Sequence, residues 1–112
     1  MNYGLTLQAL ANPTRRRLLE RIRHRPYTVG ELATFAKVRQ PTVSQHLQIL
    51  RRARLVTYRK EGTRRYCIAS TEGLAALRGY VESLWEDVLE AYAADDPNPP
   101  VRRNKPSRKG VR

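Results

Sequence analysis

The stretch of residues 39–54 constrains the fold of this chain more than any other. Pro41 suits the first turn of a helix, because a proline at that position loses no hydrogen bond. Val43, Leu47 and Leu50 then recur at spacings of four and three, which is typical of one face of an α-helix. The sequence therefore predicts an amphipathic helix that begins at Pro41 and runs to the end of this stretch.

The opposite face of this predicted helix is polar. Its first turns carry small or amide side chains, which can donate and accept hydrogen bonds at the edges of nucleic-acid bases. These side chains are Gln40, Thr42, Ser44, Gln45 and His46. Arginines follow at the end of the helix, so the pattern is typical of a helix that lies in the groove of a duplex.

A second predicted helix ends a few residues before the first one begins. Thr28 and Glu31 match a capping box, in which each side chain accepts a backbone N–H of the other residue. Leu32, Phe35 and Ala36 follow at helical spacing. Two helices joined by so short a connection predict a helix-turn-helix.

Two more helices are predicted nearer the N-terminus. Residues 2–11 are rich in leucine, and Asn12 with Pro13 gives a cap and a first helical position for a helix that ends near His24. Three consecutive arginines, residues 15–17, lie on the early turns of this helix. They form either a solvated face or a set of phosphate contacts.

Alternating residues after position 54 predict a β-hairpin, the wing, over residues 55–69. Its two strands are rich in β-branched and aromatic residues, and Gly62 lies in the turn between them. Four basic residues surround this turn against one acid, and we expect them to contact phosphate. They are Arg59, Lys60, Arg64 and Arg65. Cys67, on the second strand, is either a small buried residue or a reactive thiol.

The last predicted helix covers residues 71–94. It carries an apolar stripe at spacings of three and four, and its five acidic residues against one basic residue point it away from DNA. The stripe has more apolar surface than a small domain covers, so together with the first helix it predicts a dimer interface. The predicted interface residues are Leu5, Leu77, Val81, Leu84, Trp85, Val88 and Tyr92. The alternatives are an intramolecular core and a surface for another protein.

Composition fits one small domain with a nucleic-acid partner. The 112 residues suffice for one core, and we expect a domain over 1–94 followed by a disordered, basic and proline-rich tail over 95–112. A net charge of +12 favours polyanions, and double-stranded DNA is the leading partner. We expect a cytoplasmic protein that binds no membrane and is not an enzyme, because we find no membrane-spanning run, signal peptide or catalytic set.

The order of the predicted elements resembles the ArsR/SmtB family of winged-helix bacterial repressors. The fold class expected is mainly α with a small β-hairpin, namely a winged helix-turn-helix of about five helices and a two-stranded wing. The resemblance covers about residues 5–92 and is strongest from Gln40 to Leu50. The matching residues are Ala9–Arg15 with Leu18 and Leu19, Glu31 and Leu32, Gln40–Leu47 with Leu50, Leu55 and Val56, and Arg59–Tyr66.

This resemblance implies a homodimer that binds an operator, represses transcription, often of its own operon, and is released by an inducer. The two-fold symmetry of such a dimer predicts an inverted-repeat operator. We expect base-edge or adjacent backbone contacts from Gln40, Thr42, Ser44 and Gln45, with His46 close by as a DNA contact or a packing residue. We expect mainly phosphate contacts from Arg39, Arg51, Arg59, Lys60, Arg64 and Arg65, although a wing arginine could enter the minor groove. The alternatives are an architectural or non-inducible DNA-binding protein, a redox-responsive regulator acting through Cys67, and a protein-interaction module acting through helix 71–94.

The chain departs from the metal-sensing members of the family. Those members carry a Cys-x-Cys pair where this chain has Thr28 and Gly30, and others use histidines on the last helix, where this chain has none after His46. A single cysteine also excludes a disulfide within one chain. We therefore expect no metal and no cofactor, and the sequence leaves any inducer unknown.

Overall fold

The computed structural model of this protein describes residues 3–95 and contains five helices and three strands. The predicted mainly helical fold with a hairpin wing is confirmed. The elements are α1 (Tyr3–Leu10), α2 (Pro13–Ile22), β1 (Tyr27–Thr28), α3 (Val29–Ala36), α4 (Gln40–Arg52), β2 (Val56–Glu61), β3 (Arg64–Ala69) and α5 (Thr71–Asp95). The predicted tail, residues 95–112, lies outside the described residues apart from Asp95, which ends α5.

Backbone contacts divide the chain into two compact units, with the boundary after Val81. The first unit holds α1 to α4, the three strands and the start of α5. In its described part, the second unit is the rest of α5. None of the helices in residues 3–95 carries an apolar stretch that could span a lipid bilayer.

The helix starts follow the local signals of the sequence. The Asn12 side chain accepts the backbone N–H of Arg15 at 3.1 Å, and Pro13 opens α2. At α3 the predicted capping box is present, because Thr28 Oγ1 accepts the N–H of Glu31 and Glu31 Oε1 accepts the N–H of Thr28. Both caps satisfy backbone donors that the first turn of a helix leaves without partners.

The turn between α3 and α4 depends on a left-handed residue. Lys37, the residue that caps the C-terminus of α3, has φ of 58°, and the N–H of Val38 then donates to the carbonyl of Ala33 at 3.1 Å. Only residues 37–39 separate the two helices, so the predicted helix-turn-helix is present. Helix α4 begins one residue before the predicted start and ends at Arg52, two residues before the predicted end.

The sheet has the order β1-β3-β2, with all neighbours antiparallel. Strands β2 and β3 form the predicted wing, and Gly62 in its turn has φ of +63°, which glycine adopts at no steric cost. Strand β1, which the sequence did not predict, adds a third strand to this sheet on the other side of β3. It pairs Tyr27 with Cys67 and Thr28 with Tyr66, and two residues are too few to show alternation in a sequence.

The core of the first unit comes from the predicted apolar stripes. Each helix from α2 to α4 turns its stripe inward, and the wing adds its first two residues and Cys67. The large, fully buried side chains are Leu18, Ile22, Leu32, Val43, Leu47, Leu50, Leu55 and Val56. This burial fixes which face of α4 remains outside.

Helix α5 begins in close contact with the connection between α4 and β2. The N–H of Gly73 donates to the carbonyl of Arg54 at 2.8 Å, and Thr6 of α1 donates its hydroxyl to the carbonyl of Gly73 at 3.4 Å. A Cβ at Gly73 would lie 2.3 Å from the carbonyl oxygen of Ala53. The close approach therefore requires glycine at this position.

Candidate nucleic-acid interface

The exposed face of α4 carries the side chains predicted to contact bases. Thr42, Ser44 and Gln45 are exposed, while Val43 and Leu47 on the opposite face are fully buried. Within residues 3–95, the side chains of these three exposed residues make no hydrogen bond. They are therefore available to a ligand that covers this face.

Gln40 lies at the start of the same helix and packs against α3. Its Nε2 atom lies 3.3 Å from the position that a Cβ on Gly30 would occupy. The side chain is exposed, so its amide remains accessible from solvent. Arg39, the residue before α4, is also exposed.

His46 is half-buried and faces α2 rather than standing free with its neighbours on α4. Its Nδ1 atom lies 3.4 Å from Nη1 of Arg15. Burial, and then the charge of Arg15, lower the pKa of His46 below 6.5. A neutral imidazole can accept a hydrogen bond from the guanidinium, so the packing role is the one that this geometry supports.

The three arginines at the start of α2 have partners within the protein. The sequence predicted either a solvated face or phosphate contacts for them, and neither prediction included these partners. Arg15 donates to the carbonyls of Ala9 at 2.7 Å and Gln8 at 3.1 Å, and Arg16 donates to the carbonyl of Leu10 at 2.8 Å. These carbonyls lie in the last turn of α1, where a helix leaves carbonyls without partners inside the helix; that of Gln8 also accepts the N–H of Ala11 at 3.2 Å. Arg17 lies over the ring of Phe35, 5.2 Å from its centroid.

The four basic residues of the wing are exposed but fall on two faces of the hairpin. Lys60 and Arg65 are opposite each other in the register, on the face that also carries Tyr58. Arg59 and Arg64 lie on the other face, and Arg59 Nε forms an ion pair with Glu61 Oε2 at 3.1 Å. The four basic residues therefore form two pairs, one on each face of the hairpin, rather than the single cluster that the sequence predicted.

A polar cavity lies between α4 and the wing, and it brings three predicted residues together with two that sequence reasoning missed. The guanidiniums of Arg51 and Arg65 both lie over the ring of Tyr58, at 4.8 Å and 4.4 Å from its centroid. The cavity measures about 240 Å³, and its lining is Ser44, Gln48, Arg51, Tyr58 and Arg65. Gln48 could have been found from its spacing of four after Ser44, whereas Tyr58 carried no signal that separated it from other strand residues.

Cys67 lies in the core of the first unit. Cys67 is fully buried, and burial raises the pKa of its thiol to about 11, against a smaller opposite effect of Arg65. A thiol in this state is a poor nucleophile at neutral pH. Within residues 3–95, no three histidine, cysteine, aspartate or glutamate side chains come together as a metal site.

Apolar side chains of the predicted dimer interface are exposed on α1 and along α5. In the first unit, Leu5 is 42% exposed and Val81 52%, while Leu77 is half-buried. Tyr3 of α1 stacks on Tyr80 of α5 with ring centroids 4.1 Å apart, so the two helices share one surface there. In the second unit the exposed side chains are Leu84, Trp85, Val88 and Tyr92.

Comparisons with known proteins identify the family. Residues 12–58 match the family described as "Bacterial regulatory protein, arsR family". The chain is 50% identical over 86 residues to the HTH-type transcriptional regulator Rv2034 of Mycobacterium tuberculosis, an alignment that covers 77% of this chain and 80% of that relative.

Solved structures agree with this family and with the fold. The crystal structure of a possible transcriptional regulator for arsenical resistance has a TM-score of 0.65 at 41% identity, covering 80% of this chain and 94% of that chain. The solution structure of the homodimeric winged helix-turn-helix DNA-binding domain of Mb0332 from Mycobacterium bovis has a TM-score of 0.61 at 31% identity, covering 75% and 78%. This chain belongs to the arsR family of bacterial regulatory proteins and is a DNA-binding transcriptional regulator of the winged helix-turn-helix type.

Proposed function

We propose that two copies of this chain bind an inverted-repeat operator and repress transcription. The observation that carries the proposal is the free polar face of α4, where Thr42, Ser44 and Gln45 are exposed beside the basic wing. A helix of this width fits the major groove, where amide and hydroxyl side chains can distinguish base pairs. Arg39, Arg51 and the wing arginines then contact phosphates and set the position of the helix.

A homodimer is supported by the apolar side chains exposed on α1 and α5. Leu5, Val81, Trp85 and Val88 each expose more than two fifths of their surface to water, and covering them by a second copy gives a favourable hydrophobic contribution. The relative from M. bovis is described as homodimeric. A two-fold dimer presents two α4 helices in opposite directions, so its operator would be an inverted repeat.

Repression is the direction of regulation that the family resemblance favours. A dimer that occupies adjacent major-groove segments of a promoter excludes other proteins from the same DNA. Transcription from the enriched operator, measured in vitro with and without this protein, should therefore fall as the protein is added.

The test of operator binding is selection of bound sequences from random duplex DNA at near-physiological salt, with the oligomeric state recorded in the same sample. An enriched inverted repeat with half-sites about one helical turn apart, bound by a dimer, is the expected result. Binding with no enriched sequence would refute the proposal and would indicate an architectural protein.

Two variants distinguish base contacts from phosphate contacts on the enriched operator. Gln45→Ala should relax the preference at one base pair by about 1 to 3 kcal/mol. Arg64→Ala should weaken binding to every sequence and reduce the salt slope by about one. If Gln45→Ala weakened specific and random DNA equally, Gln45 would not read a base.

A further inference from the structure

Two arginines from different elements share one aromatic ring in the cavity between α4 and the wing. Arg51 comes from α4 and Arg65 from β3, and both guanidiniums lie over Tyr58. Their central carbons are at most 9.2 Å apart, the sum of their distances to the ring centroid. Two like charges this close repel each other, and an anion that lies between or beside them offsets the repulsion by attracting both.

No carboxylate compensates this pair. The lining of the cavity contains no acidic residue, and within residues 3–95 neither Arg51 nor Arg65 forms an ion pair. By contrast, Arg54 pairs with Glu72 and Arg59 pairs with Glu61. Lys60, directly opposite Arg65 in the hairpin, adds a third positive charge to the same face. The cavity is therefore a positively charged site without an internal counterion.

The remaining lining residues are hydrogen-bond donors suited to a phosphate group. Ser44 can offer a hydroxyl, Gln48 an amide, and Tyr58 a phenol. Burial, and to a lesser extent Cys67, raise the pKa of Tyr58, so its hydroxyl remains a donor at neutral pH. Guanidiniums bind phosphate oxygens through paired N–H groups, and about 240 Å³ leaves space for one phosphate group with ordered water.

The position of the cavity selects DNA as the source of that phosphate. Ser44, Gln48 and Arg51 are spaced by four and three residues, so they lie on one side of α4, and Ser44 is among the predicted groove-facing residues. The other wall of the cavity is the wing. A duplex that receives α4 in its major groove passes one backbone along the junction between α4 and the wing.

We propose that this cavity, the Tyr58 seat (Ser44, Gln48, Arg51, Tyr58 and Arg65), binds one backbone phosphate in each half-site of the DNA. The inference rests on the proposed function, because it requires α4 to lie in the groove. By holding a single phosphate between α4 and β3, the seat fixes the wing against the reading helix in the complex.

The test is a methylphosphonate scan of the enriched operator, in which each phosphate of one half-site is replaced in turn by an uncharged analogue. The wild-type chain should lose at least tenfold in affinity at the seat phosphate. In Arg51→Ala and in Arg65→Ala, methylphosphonate at the seat phosphate should cause no further loss of affinity. Methylphosphonate at the other phosphates should weaken binding as much as it does for the wild-type chain. Tyr58→Phe should lose a few-fold in affinity that depends on the same phosphate.

Arg52→Ala is the matched control, because it removes the same charge from the next residue of α4 and Arg52 does not lie over Tyr58. It should retain the full loss at the seat phosphate. The inference is overturned if both seat variants keep the wild-type profile, or if Arg51→Ala and Arg65→Ala lose sensitivity at different phosphates. Binding of inorganic phosphate that requires both arginines, together with an unchanged methylphosphonate profile, would overturn DNA as its source.

A double-mutant cycle on random-sequence duplex decides the inference even if no operator is enriched. Two arginines that hold the same phosphate are coupled, so the loss in the double variant should be smaller than the product of the two single losses. A loss equal to the product would overturn the shared seat. If the selection enriches no sequence but the cycle shows that the two arginines are coupled, the proposed operator is refuted and the Tyr58 seat is retained.

Discussion

Replacing Gly73 by alanine tests the close approach of α5 to the α4–β2 connection. The added Cβ would lie 2.3 Å from the carbonyl oxygen of Ala53 and 2.9 Å from that of Arg54. Ordinary contacts begin at 3.4 Å, so the backbone must separate by about 1.1 Å at Ala53. Both neighbouring atoms belong to backbone and cannot turn aside as a side chain would.

The expected cost combines three contributions. Separation weakens the hydrogen bond from Gly73 to Arg54, worth about 1 kcal/mol, and overpacking costs typically about 1 to 3 kcal/mol. Alanine in a helix gains about 1 kcal/mol over glycine. The net prediction for Gly73→Ala is a loss of about 2 kcal/mol in the free energy of unfolding.

Gly79 gives a matched control on the same helix. A Cβ at Gly79 meets no atom within 4 Å, so Gly79→Ala should gain up to about 1 kcal/mol from helix propensity alone. Urea unfolding of both variants, at one protein concentration and with the oligomeric state recorded, measures the difference. Equal stabilisation by the two substitutions would refute the argument from the Gly73 contact.

Three further predictions concern His46, Cys67 and the cap of α3. The pKa of His46 is lower in the folded state than in the unfolded state, so the unfolded state binds the proton first as the pH falls through 6.5. The free energy of unfolding, measured by urea titration, should therefore decrease below that pH. The decrease should be smaller in His46→Gln. An equal pH dependence in the variant would contradict this. Iodoacetamide at pH 8 should label Cys67 only as fast as the protein opens, with urea accelerating it; rapid labelling of the native protein would show an accessible thiolate. Thr28→Ala should cost about 1 kcal/mol of unfolding free energy, whereas Glu31→Gln, which preserves the capping box, should cost less; equal losses would exclude the reciprocal cap.

Local signals made much of this fold predictable. The Asn12 cap, the Thr28 capping box and the Gly62 turn each depend on residues within four positions of one another, so the sequence shows them directly. The buried face of α4 followed from the spacing of its apolar residues. These elements also fixed which face of α4 is exposed, and hence most of the candidate interface.

Contacts between distant residues could not be predicted in the same way. Strand β1 exists because Tyr27 pairs with Cys67, forty positions later, and two residues carry no period. Arg15 was indistinguishable from its two arginine neighbours until its carbonyl acceptors on α1 were known. Tyr58 is recognisable as part of a site only because Arg51 and Arg65 reach it from two other elements.

Arg15 has a mechanical consequence for how the N-terminal helix communicates with the DNA-facing helix. One guanidinium, carried by α2, holds the last carbonyls of α1 and also meets His46 on α4. Rotation of α1 about its axis must therefore stretch these bonds or pull on α4. Torque applied at the N-terminal helix therefore reaches α4 through the Arg15 side chain as well as through the direct packing of α1 on α4 in the apolar core.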